Sequence, residues 1–562
     1  MIAVLPLDVA LMVALVWLVL GAIGFVFKPC GAAALSAYFL ASALGALLMA
    51  AAGLWALHVP ASVLVLPFGL PDLPFHLRLD ALSGFFLVLI GLIAFGVALF
   101  SAGYFKGFGA EPMGRIGSGY HVFLAAMALV VLADDAYSFL VAWETMAIAS
   151  YFLVVTEHHV EQNRRAGFLY LFMAHVGAVA ILLCFGILHG GAGDYQSYTF
   201  AAMRVAQLDG YSASFAFGLA LFGFGAKAGM VPLHVWLPEA HPAAPSPVSA
   251  LMSGVMLKTA IYGMVRVMFD LIGDVQWQWG MVVLVLGSIT SLFGVLFALM
   301  QHDLKRLLAY HSVENIGIIL IGLGLSMIFV GGGQPLIGAL GLIAALYHTL
   351  NHAVFKGLLF LGTGAINRAT GQRNLNEFGG LIHRMPRTAA YFLVGALAIS
   401  ALPPLNGFVS EWLTFQAALA APVLKGSVAR SLIPIAAATL ALSGALTAMC
   451  FVKVFGVTFL GRPRRADLTE VREAGLWEQA GMGWLAAGCI ALGLFPVFVV
   501  GLLNKVCVTL IGSGLEQGAL DTGMLWLAPI TPERASYSPL IFLSVVVSVV
   551  LVTYYLVRMV FH

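Results

Sequence analysis

Charge is what this sequence most lacks. Of its 562 residues, 61% are apolar and only 9% are Asp, Glu, Lys or Arg, against about 25% charged in a soluble protein. Such a chain has no polar shell with which to cover a core, which excludes a soluble enzyme, a secreted disulfide scaffold and a disordered protein. A net charge of +2 supplies no basic field, so no nucleic-acid partner is expected. The five cysteines, Cys30, Cys184, Cys450, Cys489 and Cys507, are scattered, without C-x-x-C or C-x-x-C-H spacing. Iron–sulfur clusters and c-type haem need grouped thiolates, so neither is expected, nor any other cofactor or metal. No phosphate-binding loop is present, which argues against ATP as the energy source. No Lys or Arg precedes the first apolar run, so Pro6 to Phe27 reads as a retained helix and not a cleaved signal.

What the sequence has instead is long apolar runs and 62 glycines, a composition that membrane helices use for close packing. A spanning helix takes roughly 20 apolar residues, and by that measure the chain is an all-α polytopic membrane protein. It is expected to cross the bilayer about 15 times, give or take one. With the N-terminus outside, the inner loops hold Lys28, Lys106, Arg115, Arg164, Arg165, Lys305, Arg306, Arg368, Arg373, Arg384, Arg387, Arg462, Arg464, Arg465, Arg472 and Arg558. The outer side holds less than half as many, which satisfies the positive-inside rule. The stretch from Asn504 to Pro539 is too polar to span and reads as a short connector on the outer side.

Against this background, six ionisable residues fall near the middle of apolar runs: Glu144, Lys227, Lys258, Glu314, Lys356 and Glu411. Each costs several kcal/mol, on the order of 2.5–3.5 on insertion scales, and functional placement is the default reading. The bland alternative, an ion pair locking two helices or a lysine reaching for the surface, suits Lys453 near the end of its run. His348, His352 and Lys356 recur at i, i+4 and i+8, on one helical face, with neighbours roughly 6 Å apart. Two imidazoles and an amine so stacked can each take and give a proton. The rival reading is a b-type haem held by two of His175, His311, His348 and His352, but no paired arrangement at matching depth favours it.

Pro232 lies five residues beyond Lys227, and Pro403-Pro404 lie seven before Glu411. A proline inside a span breaks the helix, and in secondary transporters corresponding broken helices mark the ion site. The order of features also repeats: a span with a carboxylate (Glu144, Glu314), one with histidine (His175; His348 and His352), a broken charged span (Lys227, Glu411), and one with lysine (Lys258, Lys453). Each cycle has five spans, an odd number, so the second copy enters the membrane inverted. The resulting division is 1–119 for the N-terminal helices, 120–275 and 278–461 for the two repeats, and 462–562 for an inner loop, C-terminal helices and the connector.

The stretch KAGMVPLHVWLPEAHPAAPSPVSALMSGVMLKTAIYG, Lys227 to Gly263, resembles the signature of the antiporter-like membrane subunits of respiratory complex I and of multisubunit cation/proton antiporters. LAYHSVENIGIIL (Leu308 to Leu320) and LYHTLNHAVFKGLLFLGTGAI (Leu346 to Ile366) resemble more specifically the branch of hydrogenase-4 component B and the formate hydrogenlyase membrane subunit. The resemblance covers about residues 80–460. It implies two inverted five-helix repeats and a proton path along the middle of the membrane. It implies that Glu144 pairs with Lys227, that Lys258 connects two half-channels, that His348, His352 and Lys356 form the central series, and that Glu411 is the exit site. His175, His241, His311 and Glu314 are further candidates for the path.

The expected function is therefore a proton-translocating subunit, free of redox centres, in a larger redox complex of the bacterial inner membrane. Its expected partners are other membrane subunits and peripheral subunits carrying nickel–iron and iron–sulfur centres. The alternatives are a Na⁺/H⁺ or K⁺/H⁺ antiporter subunit, a structural anchor for a soluble hydrogenase, and a quinone- or haem-reducing subunit.

Overall fold

A computed structural model of the chain describes residues 4–29, 31–191, 194–515, Leu527 and 537–561. Two helices open it, α1 (Pro6–Phe27) and α2 (Ala32–Ala56), followed by strands β1 (Ser62–Leu70) and β2 (Leu73–Leu79). Next come α3 (Ala81–Tyr104), α4 (Ala110–Leu132), α5 (Ala136–Val154), α6 (Glu161–Leu188), a short α7 (Phe200–Met203), α8 (Gly210–Ala228) and α9 (Leu237–Ala243). A single span, Ser246–Leu271, combines α10 (Ser246–Leu251), a wide π-turn over Met252–Met256, α11 (Leu257–Arg266) and a second π-turn over Val267–Leu271. Then follow α12 (Trp277–Leu299), α13 (Leu304–Gly331), α14 (Pro335–Thr370), α15 (Pro386–Ile399), α16 (Asn406–Leu419), α17 (Ser427–Phe459), α18 (Leu476–Leu494), α19 (Pro496–Ile511) and α20 (Pro539–Phe561).

Among the described residues, 12 helices are long and apolar enough to cross a membrane, or 13 when α18 and α19, bent by 84° at Phe495, count as one. The expected figure of about 15 is not reached. The shortfall has a physical source in the two broken spans. Lys227 lowers the hydropathy of α8, and α15 and α16 have 14 residues each. Most of the expected outer connector, residues 516–526 and 528–536, lies outside the described residues; its first part is helical, since α19 continues through Asn504 to Ile511.

The all-α expectation is corrected in one place, the β1–β2 hairpin. Ser62 pairs with Leu79 and Leu70 with Leu73 across a two-residue turn, with a bulge between Leu66 and Gly69. The alternation in HLRL, after a Gly-Leu-Pro-Asp turn, carries the period-two signal, and the β-branched valines of VLVL before the turn suit a strand. Its inner edge docks on the α4–α5 turn, where the Asp134 amide donates to the His76 carbonyl (2.8 Å) and the His76 amide donates to Asp135 (2.8 Å).

The same end of the bundle is locked by buried charge. Asp80 caps α3 by accepting from the Ser83 amide (3.0 Å), and it accepts both terminal nitrogens of Arg266, at 2.8 and 2.9 Å. Arg266 also donates to Asp270 (2.9 Å), which takes three further bonds from Arg204, itself 3.3 Å from Asp134. Burial on its own raises a carboxyl pKa, but the Arg266 charge and hydrogen bonds hold Asp80 well below the usual carboxylate range. A carboxylate so depressed contributes stability above its unfolded pKa, and loses it only as pH falls toward the folded value. Asp80→Asn strips Arg266 of its bidentate partner while leaving Asp270. It is expected to cost about 3 kcal/mol, read as a lower melting temperature of the detergent-solubilised protein at neutral pH. An unchanged melting temperature counts against the lock.

The α12–α13 pair makes the most extensive helix contact among the described residues, and glycine explains it. Gly280, Gly287 and Gly294 on α12 face Gly317, Gly324 and Gly331 on α13, one every seven residues. A β-carbon at Gly317 would lie 2.2 Å from the Ser291 amide nitrogen, and one at Gly294 would lie 2.4 Å from that of Glu314. Small residues at this interval let backbones touch, which seats Glu314 directly against α12. Helices α13 and α14 are enclosed by the others, whereas α20 turns its apolar side chains outward on all sides.

Candidate functional site

Both proline-marked breaks are real interruptions, and polar side chains satisfy the backbone they free. Helix α8 ends at Gly229, whose φ of +84° suits glycine, and helical structure resumes only at Leu237. Across this gap the Trp236 indole donates to the Ala226 carbonyl (2.8 Å), and the Val231 amide donates to the Thr290 hydroxyl (3.2 Å). The second gap, Ser400–Leu405, separates α15 from α16. There the Asn351 amide of α14 donates to the Asn406 carbonyl (2.8 Å) and to Ser410 (3.0 Å). Such breaks persist in apolar surroundings only where partners of this kind are supplied.

Around these breaks the expected residues are buried. Lys227, at the last turn of α8, is 2% exposed, and Lys258, His352 and Lys356 are fully enclosed. Lys227 donates to the Tyr170 hydroxyl (2.7 Å) and stands 4.7 Å from the Tyr170 ring centre and 5.8 Å from that of Trp143. The Lys258 ammonium donates to the Ser253 carbonyl (2.6 Å), within the π-turn, and lies 2.9 Å from His352 Nδ1. The His352 and His348 rings are stacked with centres 6.5 Å apart.

His348 then joins two further helices. Its Nε2 lies 3.1 Å from Asn315 Oδ1 on α13 and its Nδ1 lies 2.9 Å from the Ser410 hydroxyl on α16. Asn315 donates its own amide to the His311 carbonyl (2.7 Å), so its oxygen accepts and His348 carries the proton on Nε2; Ser410 donates to Nδ1. Beside this junction the Glu314 carboxylate bonds His311 Nδ1 (2.5 Å) and the Thr447 hydroxyl of α17. Lys356 donates to the Leu308 carbonyl (2.7 Å).

Glu411, 6% exposed, follows Ser410 and turns toward α17. A β-carbon on Gly444 there would lie 3.6 Å from its Oε2. His241 is buried with both ring nitrogens unpartnered among the described residues.

Lysine, histidine, asparagine and serine thus link α11, α14, α13 and α16 through the interior of the bundle, between two broken helices. The family model described as NADH:quinone oxidoreductase/Mrp antiporter, TM, matches residues 133–434, which contain every one of these groups. The chain belongs to that family.

Among its relatives, hydrogenase-4 component B of Escherichia coli (strain K12) is 44% identical over 430 residues, 76% of this chain and 63% of that protein. The chain thus spans somewhat less than two thirds of that relative's length. Formate hydrogenlyase subunit 3 of the same organism is 35% identical over 462 residues, 82% of this chain and 73% of its own length. Of solved structures, the membrane-bound sulfane sulfur reductase, an archaeal respiratory membrane complex, holds a chain that superposes with a TM-score of 0.79 at 27% identity. The match covers 97% of this chain and 84% of that one.

One expected contact of this family member is not made in this structure. Glu144 does not pair with Lys227; its Oε2 lies 3.5 Å from His175 Nε2 on α6, and Lys227 bonds Tyr170 instead. The helical phase of α5 is the reason. Trp143 points into the bundle against Lys227, while Glu144, one residue on, sits at the bundle's outer edge with its side chain 30% exposed and that of His175 54% exposed.

Several contributors escaped the sequence reading: Ser150, Tyr170, Asn315, Asn351, Asn406, Ser410 and Thr447. All are neutral, and hydroxyls and amides are too common in membrane helices to stand out. The one available signal was adjacency, since Asn315 follows Glu314 and Ser410 precedes Glu411. Lys305, assigned to an inner loop, is buried in the first turn of α13 and donates to the Ala244 carbonyl (2.7 Å).

Proposed function

We propose that this chain is a proton-translocating membrane subunit of a multisubunit redox complex of the hydrogenase-4 and formate hydrogenlyase kind. In this reading it resides in the bacterial inner membrane with its N-terminus outside and its C-terminus in the cytoplasm. Residues 120–275 and 278–461 act as two inverted five-helix repeats, each with one broken helix. Protons pass from Lys227 to Lys258, on through the His348–His352–Lys356 row, and leave by Glu411. His241 and Lys305 serve the cytoplasmic side, while His311 and Glu314 bias the central histidines. Water carries the proton where no side chain bridges, as between Lys227 and Lys258.

The single observation behind this reading is the direct Lys258–His352 contact, which joins the lysine of one repeat to the histidine row of the other. Two bases sharing one proton at hydrogen-bond distance are what transfer along a row requires. The oxidation and reduction belong to peripheral partners with nickel–iron and iron–sulfur centres. Other membrane subunits cover the α5–α6 flank, since a carboxylate and an imidazole facing lipid at mid-span are costly.

The test is protons translocated per redox turnover of the assembled complex in vesicles, wild type against Lys227→Ala, with and without Na⁺. The expected result is a lower ratio with normal assembly and no dependence on Na⁺. An unchanged ratio with normal assembly overturns the proposal.

A further inference from the structure

Both members of the expected Glu144–Lys227 pair hold other partners, and the two partnerships differ in kind. Glu144 faces His175 through Oε2, while its Oε1 is buried with no hydrogen-bond partner among the described residues. A buried carboxylate oxygen left bare is expensive, and its natural occupant is a cation one helix away. Lys227 lies against Trp143, the residue preceding Glu144, yet its ammonium is bonded to Tyr170.

The Tyr170 site is built in depth. Its hydroxyl lies 2.6 Å from the Ser150 hydroxyl, and Ser150 in turn donates to the Met146 carbonyl (2.7 Å) one turn back on α5. The Met146 carbonyl only accepts, so Ser150 donates there, and the Tyr170 hydroxyl has the Ser150 oxygen and Met256 Sδ (3.5 Å) as its acceptors. Ser150 spends its proton on Met146, its oxygen accepts from Tyr170 O–H, and the Tyr170 oxygen is left as an acceptor facing Lys227. That orientation suits an ammonium. Because the hydroxyl chain ends on a backbone carbonyl, it leads nowhere and does not relay protons. It is a berth. The amine stands 4.7 Å from the Tyr170 ring centre, beyond the hydroxyl end of the ring.

We infer that Tyr170, oriented by Ser150, is the positioning residue that receives the protonated Lys227 side chain when it leaves Glu144, giving the lysine two alternative seats. His175, whose Nδ1 donates to the Leu171 carbonyl (2.9 Å), plays the matching part for Glu144 as the imidazolium, offering Nε2–H to the carboxylate when the lysine is absent. The inference rests on the proton-translocation reading and adds to it how the first pair opens: each charge moves onto a waiting partner, and neither is stranded in apolar surroundings. No covalent bond changes; the ammonium exchanges one acceptor for another.

The experiment compares Tyr170→Phe, Ser150→Ala, Glu144→Gln and the Tyr170→Phe/Glu144→Gln double variant in the assembled complex, measured as protons per turnover. Tyr170→Phe keeps the ring and removes only the acceptor oxygen. It is expected to lower translocation about tenfold, with Ser150→Ala showing a smaller loss. A ring that is merely structural would multiply its defect with that of Glu144→Gln. Two seats of one lysine are expected to be strongly non-additive, the double variant matching the worse single one. Infrared difference spectra are expected to show a tyrosine band that responds to turnover in the wild type and vanishes in Lys227→Ala. Wild-type pumping by Tyr170→Phe, or fully multiplicative losses, overturns the inference. If Lys227→Ala itself pumps normally, the broader reading falls; if it fails while Tyr170→Phe pumps, only the second seat falls.

Discussion

Lys258→Ala is expected to reduce proton translocation at least about 100-fold while the complex assembles. Positioned acid–base groups contribute about 10²–10⁴ to proton transfer, and here there is no substitute at hand. Lys258 is enclosed completely, and its amine is the group that touches His352 Nδ1. The other ring nitrogen, Nε2, already lacks a partner. Truncating the lysine therefore isolates His352 and opens a gap between the two halves of the polar row. The measurement is dye-detected acidification of vesicles, normalised to redox turnover. A rate within about twofold of wild type, with normal assembly, would show that protons bypass this contact.

The second large effect is structural. Gly317→Val puts a branched side chain where a β-carbon would already lie 2.2 Å from the Ser291 amide nitrogen and 2.6 Å from the Gly287 carbonyl. Both obstacles are backbone, so neither can rotate away. Overpacking commonly costs 1–3 kcal/mol, and a clash with rigid backbone on both sides is expected to exceed about 3 kcal/mol. Expression in membranes and the melting temperature should both collapse. The control is Gly186→Val on α6, where nothing lies within 4 Å of the added atom and little change is expected. Equal behaviour of the two variants would show that the glycine series does not set the α12–α13 spacing.

How much was legible in the sequence depended on the range of the physics involved. The first helix runs from Pro6 to Phe27 as its apolar run indicates, and the two prolines mark both breaks, because hydropathy and proline geometry act locally. The stacking of His348 over His352 follows from helical spacing alone. The partner of Glu144 was not legible, since it depends on how α5 is rotated against α6 and α8, and a turn of one residue exchanges Trp143 for Glu144 at the lysine. The placing of Lys258 against a histidine 94 residues away likewise follows from packing between the halves. The hairpin was overlooked because its short alternating strands are as apolar as the spans around them.

The seat of Glu144 and His175 at the rim of the bundle has a bearing on how this molecule is governed. The titrating groups of the central row are walled in, while this pair stands at the side wall. Whatever disturbs it must come sideways, within the plane of the bilayer, so control over the buried row would be exercised by a neighbour pressing on one flank.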